Sequence, residues 1–435
     1  MRPVSRGIDR IEVTFDEPNL VANAGLLLVA TLVARLGLER LINATVDLSG
    51  RVGGALPGRK VLTLVHAMVA GGSHIEHADM LRAGATGSVL GHRVMAPSTL
   101  GTFLRSFTFG HVRQLDAVLA EALHRAWSLG AGPGEGRCVV DLDSTITEVC
   151  GKAKQGAGYG YTKKLGYHPL LATLAATGEL LHARMRKGAA NTQRGTKRFI
   201  EELVARLRRA GATGELIMRF DSGFWSNTTI ATLERLEVGY TMGVRMVKSV
   251  LSAISAIDES AWTPIDYTPD GIAEVAECDY KGRRLIVRRT RLVGAQATLW
   301  PEWRHFAFVT DRQGDAVDVD AFHRSHARVE LAIKDLKEGA GLEHVPSGNF
   351  SANAAWLLCA ALAHNLIRWS ALLGELTPED QLVVARTVRT RFFSVPGRLV
   401  SRSGTHTLRA PLHWPWAEVF DRALALLRAL PPVPL

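Results

Sequence analysis

Cysteine is scarce in this chain: four occur in 435 residues, Cys138, Cys150, Cys278 and Cys359, at spacings that fit neither a disulfide framework nor a set of zinc ligands. They read as free thiols of a reducing compartment. Long apolar runs are missing as well. The longest, near Leu26 to Val33 and Trp356 to Leu366, are too short or too interrupted for the roughly 20 apolar residues that a bilayer-spanning helix needs. The N-terminus carries Arg2, Arg6, Asp9, Arg10 and Glu12 without an apolar stretch and small-residue cleavage site behind them, which argues against a secretory signal and for a cytoplasmic protein. Acid is in deficit too: 42 Asp and Glu face 52 Lys and Arg, a formal net charge of +10. A folded surface with that excess attracts a polyanion, either nucleic acid or an anionic membrane. No internal repeat of fixed period is found. What is present is 47% hydrophobic and 22% charged residues, enough for a substantial core and for two or three domains.

Residues 1–136 read as an all-α region. Lys60 to Ala70 is an apolar-periodic run, Gly71 and Gly72 break it, and Ser73 can cap a second run from His74 to Arg82. A third helix is expected from Pro97 through Leu100, Phe103, Leu104 and Phe107, with Arg105 and His111 on its wet side. Such a trio can place one helix in a DNA major groove, or can simply pack on the rest of the protein. The stretch AGPGEGR, Ala131 to Arg137, marks a boundary, and the pattern then turns extended. Cys138 to Cys150 alternates in period two and is rich in β-branched residues, as a strand should be. A hairpin follows around Thr177-Gly178, then the basic amphipathic run Thr192 to Ala210, the strand ELIMRF, a polar helix from Ser226 to Leu236 and the strand GYTMGVRM. Three antiparallel strands, helix, strand, helix, strand is the order of an RNase H-like α/β domain, a mixed sheet flanked by helices. This first part of the core spans residues 137–246, a β-rich insertion spans 247–312, the core resumes over 313–375, and 376–435 has no clear reading.

Carboxylates stand at telling places. Asp141 and Asp143 are two apart on the first strand and so share a face; two acids inside an apolar strand are costly unless something cationic offsets them. Read in isolation, Asp143-Ser144-Thr145 can also be a turn in which side chains satisfy backbone amides. Asp221 follows ELIMRF at a carboxyl end, with Ser222 and Gly223 making a sharp exit, where open sheets collect ligands. In an RNase H-like sheet the first and fourth strands are neighbours, so Asp143 and Asp221 would meet, which is tolerable when they share metal ions. A helix from Asp320 to Lys337 puts His323, His326, Glu330 and Lys337 on one face. That face can be a solvated one in which Glu330 pairs with Lys334, or His323, His326 and Glu330 can be zinc ligands, although the HExxH spacing is absent.

Taken together, DLDST, RFDSGF and HRSHARVELAIKDLK resemble the DDE transposases of bacterial insertion sequences, in the branch with a β-strand insertion between the second Asp and the Glu. The stretch GLEHVPSGNFSANAAWLLCAALAHNLIRW is similar to the helix that follows the family's catalytic one. The resemblance implies metal-dependent cleavage and transfer of DNA strands at element ends, with Asp143 rather than Asp141 as first ligand and Asp221 and Glu330 as second and third. It implies two Mg²⁺ ions, with Mn²⁺ able to substitute, a homodimer on DNA, and a nucleoid-associated protein. The family's Tyr, Arg, Glu and Lys signature is kept at Glu330 and Lys337, whereas His323 and His326 stand at the Tyr and Arg positions. Phosphate contacts are expected from Lys337, His326, His323, Arg198 and Arg105. Further phosphate tracks are expected along Arg194, Lys197, Arg206, Arg208 and Arg209 and along RRLIVRRTR, and base stacking or packing from Trp300 and Trp303. Another RNase H-like nuclease, or a DNA-binding protein of this fold without chemistry, would share most of these features.

Overall fold

The computed structural model describes residues 8, 11–160, 162–269, 271–293, 303–378 and 381–433; Trp300 lies outside the described residues. A short strand β1 (Leu20–Val21) precedes four main helices, α1 (Leu26–Arg35), α2 (Pro57–Val69), α3 (Pro97–Arg105) and α4 (Phe109–Ala126). Pro57 and Pro97 occupy the first turns of α2 and α3, where a missing N–H costs nothing. Every residue of α2 except Pro57 and Arg59 is buried, so this helix has no face left to read DNA. The run expected from His74 begins instead with a 3₁₀ turn, Ile75–His77. The third expected helix also stops earlier, at Arg105: Thr108 starts α4 in a capping box, and His111 returns a bond to the Thr108 amide at 3.1 Å.

Strand β2 (Cys138–Ser144) opens the α/β part. The extended run was expected to reach Cys150, but it leaves the sheet after Ser144, and Thr147–Glu148 (β3) joins a separate small sheet with β4 (Gly158–Tyr159) and β5 (Leu165–Tyr167). Close contact explains the glycine there, since a Cβ on Gly166 would lie 2.4 Å from the Thr147 carbonyl oxygen. Strands β6 (Leu170–Leu174) and β7 (Leu180–Arg184) form the hairpin expected around Thr177-Gly178, and Gly178 has φ 71°. Next come helix α5 (Thr196–Ala210), strand β8 (Leu216–Phe220), helix α6 (Asn227–Arg235) and strand β9 (Gly239–Gly243). β2 pairs antiparallel with β6 and parallel with β8, and β8 pairs parallel with β9. The order β7-β6-β2-β8-β9 is the RNase H-like arrangement expected from the sequence.

The insertion does not stand apart from this sheet. Its strands β10 (Thr263–Ile265), β11 (Gly271–Asp279), β12 (Arg284–Leu292) and β13 (Arg304–Thr310) form an antiparallel run that adds onto β9, giving nine strands among the described residues. Helix α7 (Ala316–Arg324), a 3₁₀ turn over Ser325–Ala327 and helix α8 (Arg328–Ala340) return to the core. The single helix expected from Asp320 to Lys337 is therefore broken at 325–327.

Helix α9 (Phe350–Leu373) lies at the centre, capped by the Asn349 side chain, which accepts from the amides of Ser351 and Ala352. Every residue from Ala352 to Ala371 is buried. Among the described residues it is the one helix long and apolar enough to cross a membrane, yet 89% of its apolar window is buried inside the protein. It packs against α2, α4 and β7. The stretch 376–435 contains a hairpin, β14 (Gly397–Arg402) and β15 (Thr405–Arg409), which pairs with β1, and a helix α10 (Ala417–Ala429) against α1. One apolar cluster runs from Val21 to Leu427.

Candidate active site

The parallel ladder between β2 and β8 ends at the pair Leu142 and Phe220. Asp143 and Asp221 are each the next residue, so the two carboxylates leave adjacent strands at the same carboxyl end. Asp143 is half-buried and its Oδ1 accepts from the Ser144 amide at 2.6 Å. Asp221 is exposed and caps the turn Ser222–Phe224 by accepting from Gly223 N at 3.0 Å. Close packing behind that turn requires the last residue of β9 to be glycine, because a Cβ on Gly243 would sit 2.8 Å from Ser222 N. Glu330 lies in the first turn of α8, exposed, and among the described residues it has no ion pair. Lys334 does not hold it.

Electrostatics link the three acids. The Asp143 carboxyl is pushed up to about 6, chiefly by burial and also by the charges of Asp221 and Glu330, with the Ser144 amide and His326 acting in the other direction. A half-buried acid with two more carboxylates in its field is a set of hard oxygen donors short of positive charge. Such a donor set fits a divalent cation of the Mg²⁺ or Mn²⁺ kind.

The expected cationic contacts fare unevenly. Lys337 reaches the site, half-buried, donating to the Ile146 carbonyl at 2.9 Å with Asp143 in its field, and burial lowers its pKa. His326 stands in the 325–327 break with Nδ1 2.8 Å from Asp141. The environment of His323 argues against a charged phosphate contact. Its Nδ1 is 2.7 Å from the Thr241 hydroxyl, its ring stacks on Phe308 at 4.1 Å, and burial pushes its pKa down to about 3. His323 is also a poor zinc ligand beside His326 and Glu330, because its Nδ1 is taken by Thr241 and its ring by Phe308; among the described residues neither that trio nor the three acids bring their ligand atoms all within 4.8 Å of one another. Arg198 is exposed and paired with Glu202 at 2.9 Å; Arg105 is exposed at the end of α3. Among the described residues neither touches the three acids.

Ion pairs also consume much of the basic surface expected to track phosphates. Arg206 is buried on Asp116 at 2.7 Å, and Arg208 donates to the carbonyls of Ala212 and Gly214. In the insertion, Arg283 pairs with Glu234, Arg284 with Glu277, Arg288 with Asp320 and Arg289 with Glu259 and Glu274. Arg289 is sandwiched by Trp262 and Trp303 at 4.1 and 4.4 Å, so Trp303 serves packing. Of these strands' arginines, Arg291 has no acidic partner among the described residues.

A second group of possible metal ligands, Asp116, His182 and Glu202, lies between α4, β7 and α5. It is an ion-pair network rather than a metal centre. Arg113, Arg184, Arg198 and Arg206 crowd the same two carboxylates, which stay well below the usual range despite burial, and a cation would have to displace them.

Sequence reading left two groups beside the acids without a role. Arg219 holds Asp141 in a buried bidentate pair at 2.7 and 2.8 Å; its signal was an arginine two residues before Asp221 in an otherwise apolar strand. His168 takes up Ser144, with Nε2 2.8 Å from its hydroxyl and Nδ1 2.7 Å from the Ala190 carbonyl. Since that carbonyl can only accept, Nδ1 carries the proton and Nε2 accepts from Ser144. No local pattern points to this contact across 24 residues.

Three comparisons with known proteins bear on identity. No curated protein matches the chain. Among solved structures, a piggyBac transposase in a synaptic complex with hairpin DNA, determined by cryo-EM, is similar at 12% identity over 86% of this chain and 80% of that one, with a TM-score of 0.46. The family model for the transposase DDE domain, group 1, matches residues 5–432. With a match spanning nearly its whole length, the chain belongs to the DDE transposases of that group, enzymes that cut and transfer DNA strands with the help of divalent metal.

Proposed function

We propose that Asp143, Asp221 and Glu330 are the acids of this transposase's DDE motif and hold two Mg²⁺ ions, with Mn²⁺ able to replace them, at the ends of an insertion sequence. The observation that supports this reading is that Asp143 and Asp221 leave adjacent strands at the same carboxyl end, with the charges of Asp221 and Glu330 both acting on the Asp143 carboxyl that burial pushes up. When bound, such ions supply Lewis acidity to the phosphate and lower the pKa of a coordinated water. The protein's part is to bind and orient. Asp143, Asp221 and Glu330 would hold the ions together, and the Ser144 amide fixes one Asp143 oxygen. Lys337, with Asp143 in its field, and His326 would grip phosphate at the cut. Water would first free a 3′-OH at the element end, and that hydroxyl would then attack target DNA.

The basic surface outside the site suits phosphate binding by Arg105, by Arg194, Lys197 and Arg209 on and before α5, and by Arg291 in the insertion. We assign end recognition to residues 1–136, the catalytic core to 137–246 and 313–375, and the insertion to 247–312. Joining two element ends calls for a homodimer on DNA. The test is strand cleavage and joining on a duplex carrying the terminal repeats that flank the element's own gene, with Mg²⁺, comparing the intact protein with Asp221→Asn. Metal-dependent nicking at the repeat boundary that disappears in the variant, with repeat binding retained, is expected. Unchanged nicking in Asp221→Asn would overturn the site, and binding without cleavage under either metal would favour a DNA-binding protein of this fold without chemistry.

A further inference from the structure

Asp141 is 1% exposed and shares the face of β2 that carries Asp143, one pleat away. Every oxygen of its carboxylate is engaged. Oδ1 accepts from Arg219 Nε at 2.7 Å and from His326 Nδ1 at 2.8 Å, and Oδ2 accepts from a second Arg219 nitrogen at 2.8 Å. Arg219 is anchored in turn by the Phe322 carbonyl at 2.8 Å and by the Phe322 ring. Fold stability does not account for the imidazole. A bidentate guanidinium already neutralises the acid, and the histidine joins from the 325–327 turn, where the helix expected from the sequence is interrupted.

The geometry of the ring is informative. Both Asp141 oxygens already accept from Arg219, and Oδ1 accepts again from the ring, so the proton of this bond is on His326 Nδ1. A histidine fixed through one nitrogen presents the other in the opposite direction. Among the described residues His326 Nε2 has no partner; the side chain is 14% exposed, and its charge acts on Asp143. His323, one turn earlier, offers no such nitrogen, since it is spent on Thr241 and on Phe308.

We infer that Asp141, locked by Arg219, is a positioning residue that holds His326 with Nε2 aimed at a non-bridging oxygen of the phosphate being cut. The inference rests on the three-acid site above. A ring that carries both protons gives Nδ1–H to Asp141 and Nε2–H to phosphate at once, and the phosphate supplies the opposite charge, since Asp141 is already paired with Arg219. The imidazole thereby replaces, with a single hydrogen bond and a fixed ring, the fork that an arginine would offer. His326 would contact DNA; Asp141 and Arg219 would act through it.

The experiment is a nicking assay on the same repeat duplex with Mg²⁺, applied to His326→Ala, His326→Gln, His326→Arg, Asp141→Asn and the Asp141→Asn/His326→Ala pair. His326→Ala and His326→Gln are expected to lose about tenfold to hundredfold in turnover, as for residues that orient a metal site, with repeat affinity little changed. His326→Arg should stay at least tenfold above His326→Gln, because a guanidinium can donate both bonds. Asp141→Asn should cost as much as His326→Ala, and the double variant no more than either alone. Full turnover in His326→Ala, or additive losses in the double variant, would overturn the inference. A dead His326→Arg with an active His326→Gln would also overturn it, since a neutral hydrogen-bonding side chain would then suffice where a guanidinium does not.

Asp141→Asn can fail to fold, since it unpairs a buried arginine. The wild-type protein therefore supplies an independent readout: ¹⁵N imidazole resonances should show His326 protonated at Nδ1 without DNA and at both nitrogens on the repeat duplex. A proton confined to Nε2 would refute the geometry. Asp143→Asn run alongside separates the two ideas, since full activity there sinks the site itself, whereas a dead Asp143→Asn with an unaffected His326→Ala sinks only the positioning role.

Discussion

Two buried or half-buried carboxyls pushed upward in pKa carry different meanings. Asp143 is raised by burial and by two neighbouring acids and has one backbone donor, a shortage that a bound cation relieves. Asp143→Asn and Glu330→Gln are each expected to reduce strand cleavage by about 10³-fold or more, the scale of several kcal/mol of lost transition-state stabilisation, while gel-shift binding to the repeats persists. Glu179 is raised by burial up to about 7 and accepts from the indoles of Trp127, at 2.8 Å, and Trp369. Its protons tell the sign. Between about 4.5 and 7 the folded protein holds a proton that the unfolded chain releases, so this group's contribution is full below 4.5 and is lost as pH rises through 7, up to about 3 kcal/mol. Melting temperatures at pH 5 and pH 8 should therefore fall more for the wild type than for Glu179→Gln; equal falls would show that Glu179 does not titrate in this range.

At the scale of elements, α7 ties the insertion to the core. Asp320, 1% exposed, accepts from Arg288 of β12 at 2.9 Å and from Arg324 at 2.8 Å. Removing one member of a buried pair leaves the other charge unpaired, so Asp320→Ala is expected to cost about 3–5 kcal/mol in urea unfolding. A cost below about 1 kcal/mol would mean that the insertion is not held through this contact. The break after α7 has a comparable role in the site. A continuous helix would put His326 and Glu330 in line by period alone, whereas the 3₁₀ turn Ser325–Ala327 sets His326 on Asp141 while α8 carries Glu330 toward Asp143. Period-based reading found the shared face but not the interruption, because Ser325-His326-Ala327 contains no glycine or proline to announce one. In the opposite case, the strand expected through Cys150 ends at Ser144. Alternation persists past that point in the sequence, and what stops the strand is its departure from β6, whose pairing with β2 ends at Leu170.

For the whole molecule, the helical N-terminal part shares one apolar core with the sheet through α9, and β1 is paired with β14 near the other end of the chain. Residues 1–136 made alone would expose the surfaces of α2 and α4 that α9 covers. They are expected to lack a cooperative thermal transition by circular dichroism; a sharp melt of that fragment would show an independent domain. The sequence by itself determined the order of the main strands and helices of the core between Cys138 and Gly243, the strand-end setting of Asp221 and the helical setting of Glu330, because β alternation, helical period and turn residues are local properties. Which acid is free and which is spent was decided only by tertiary structure. Asp141 and Asp143 look equivalent in DLDS, and the difference comes from Arg219 and His326, 78 and 185 residues away. Likewise, whether a lysine or arginine belongs to the DNA-facing surface depends on the acid packed against it. Coulomb energy and desolvation act through space, and the distances that set them exist only once the chain has folded.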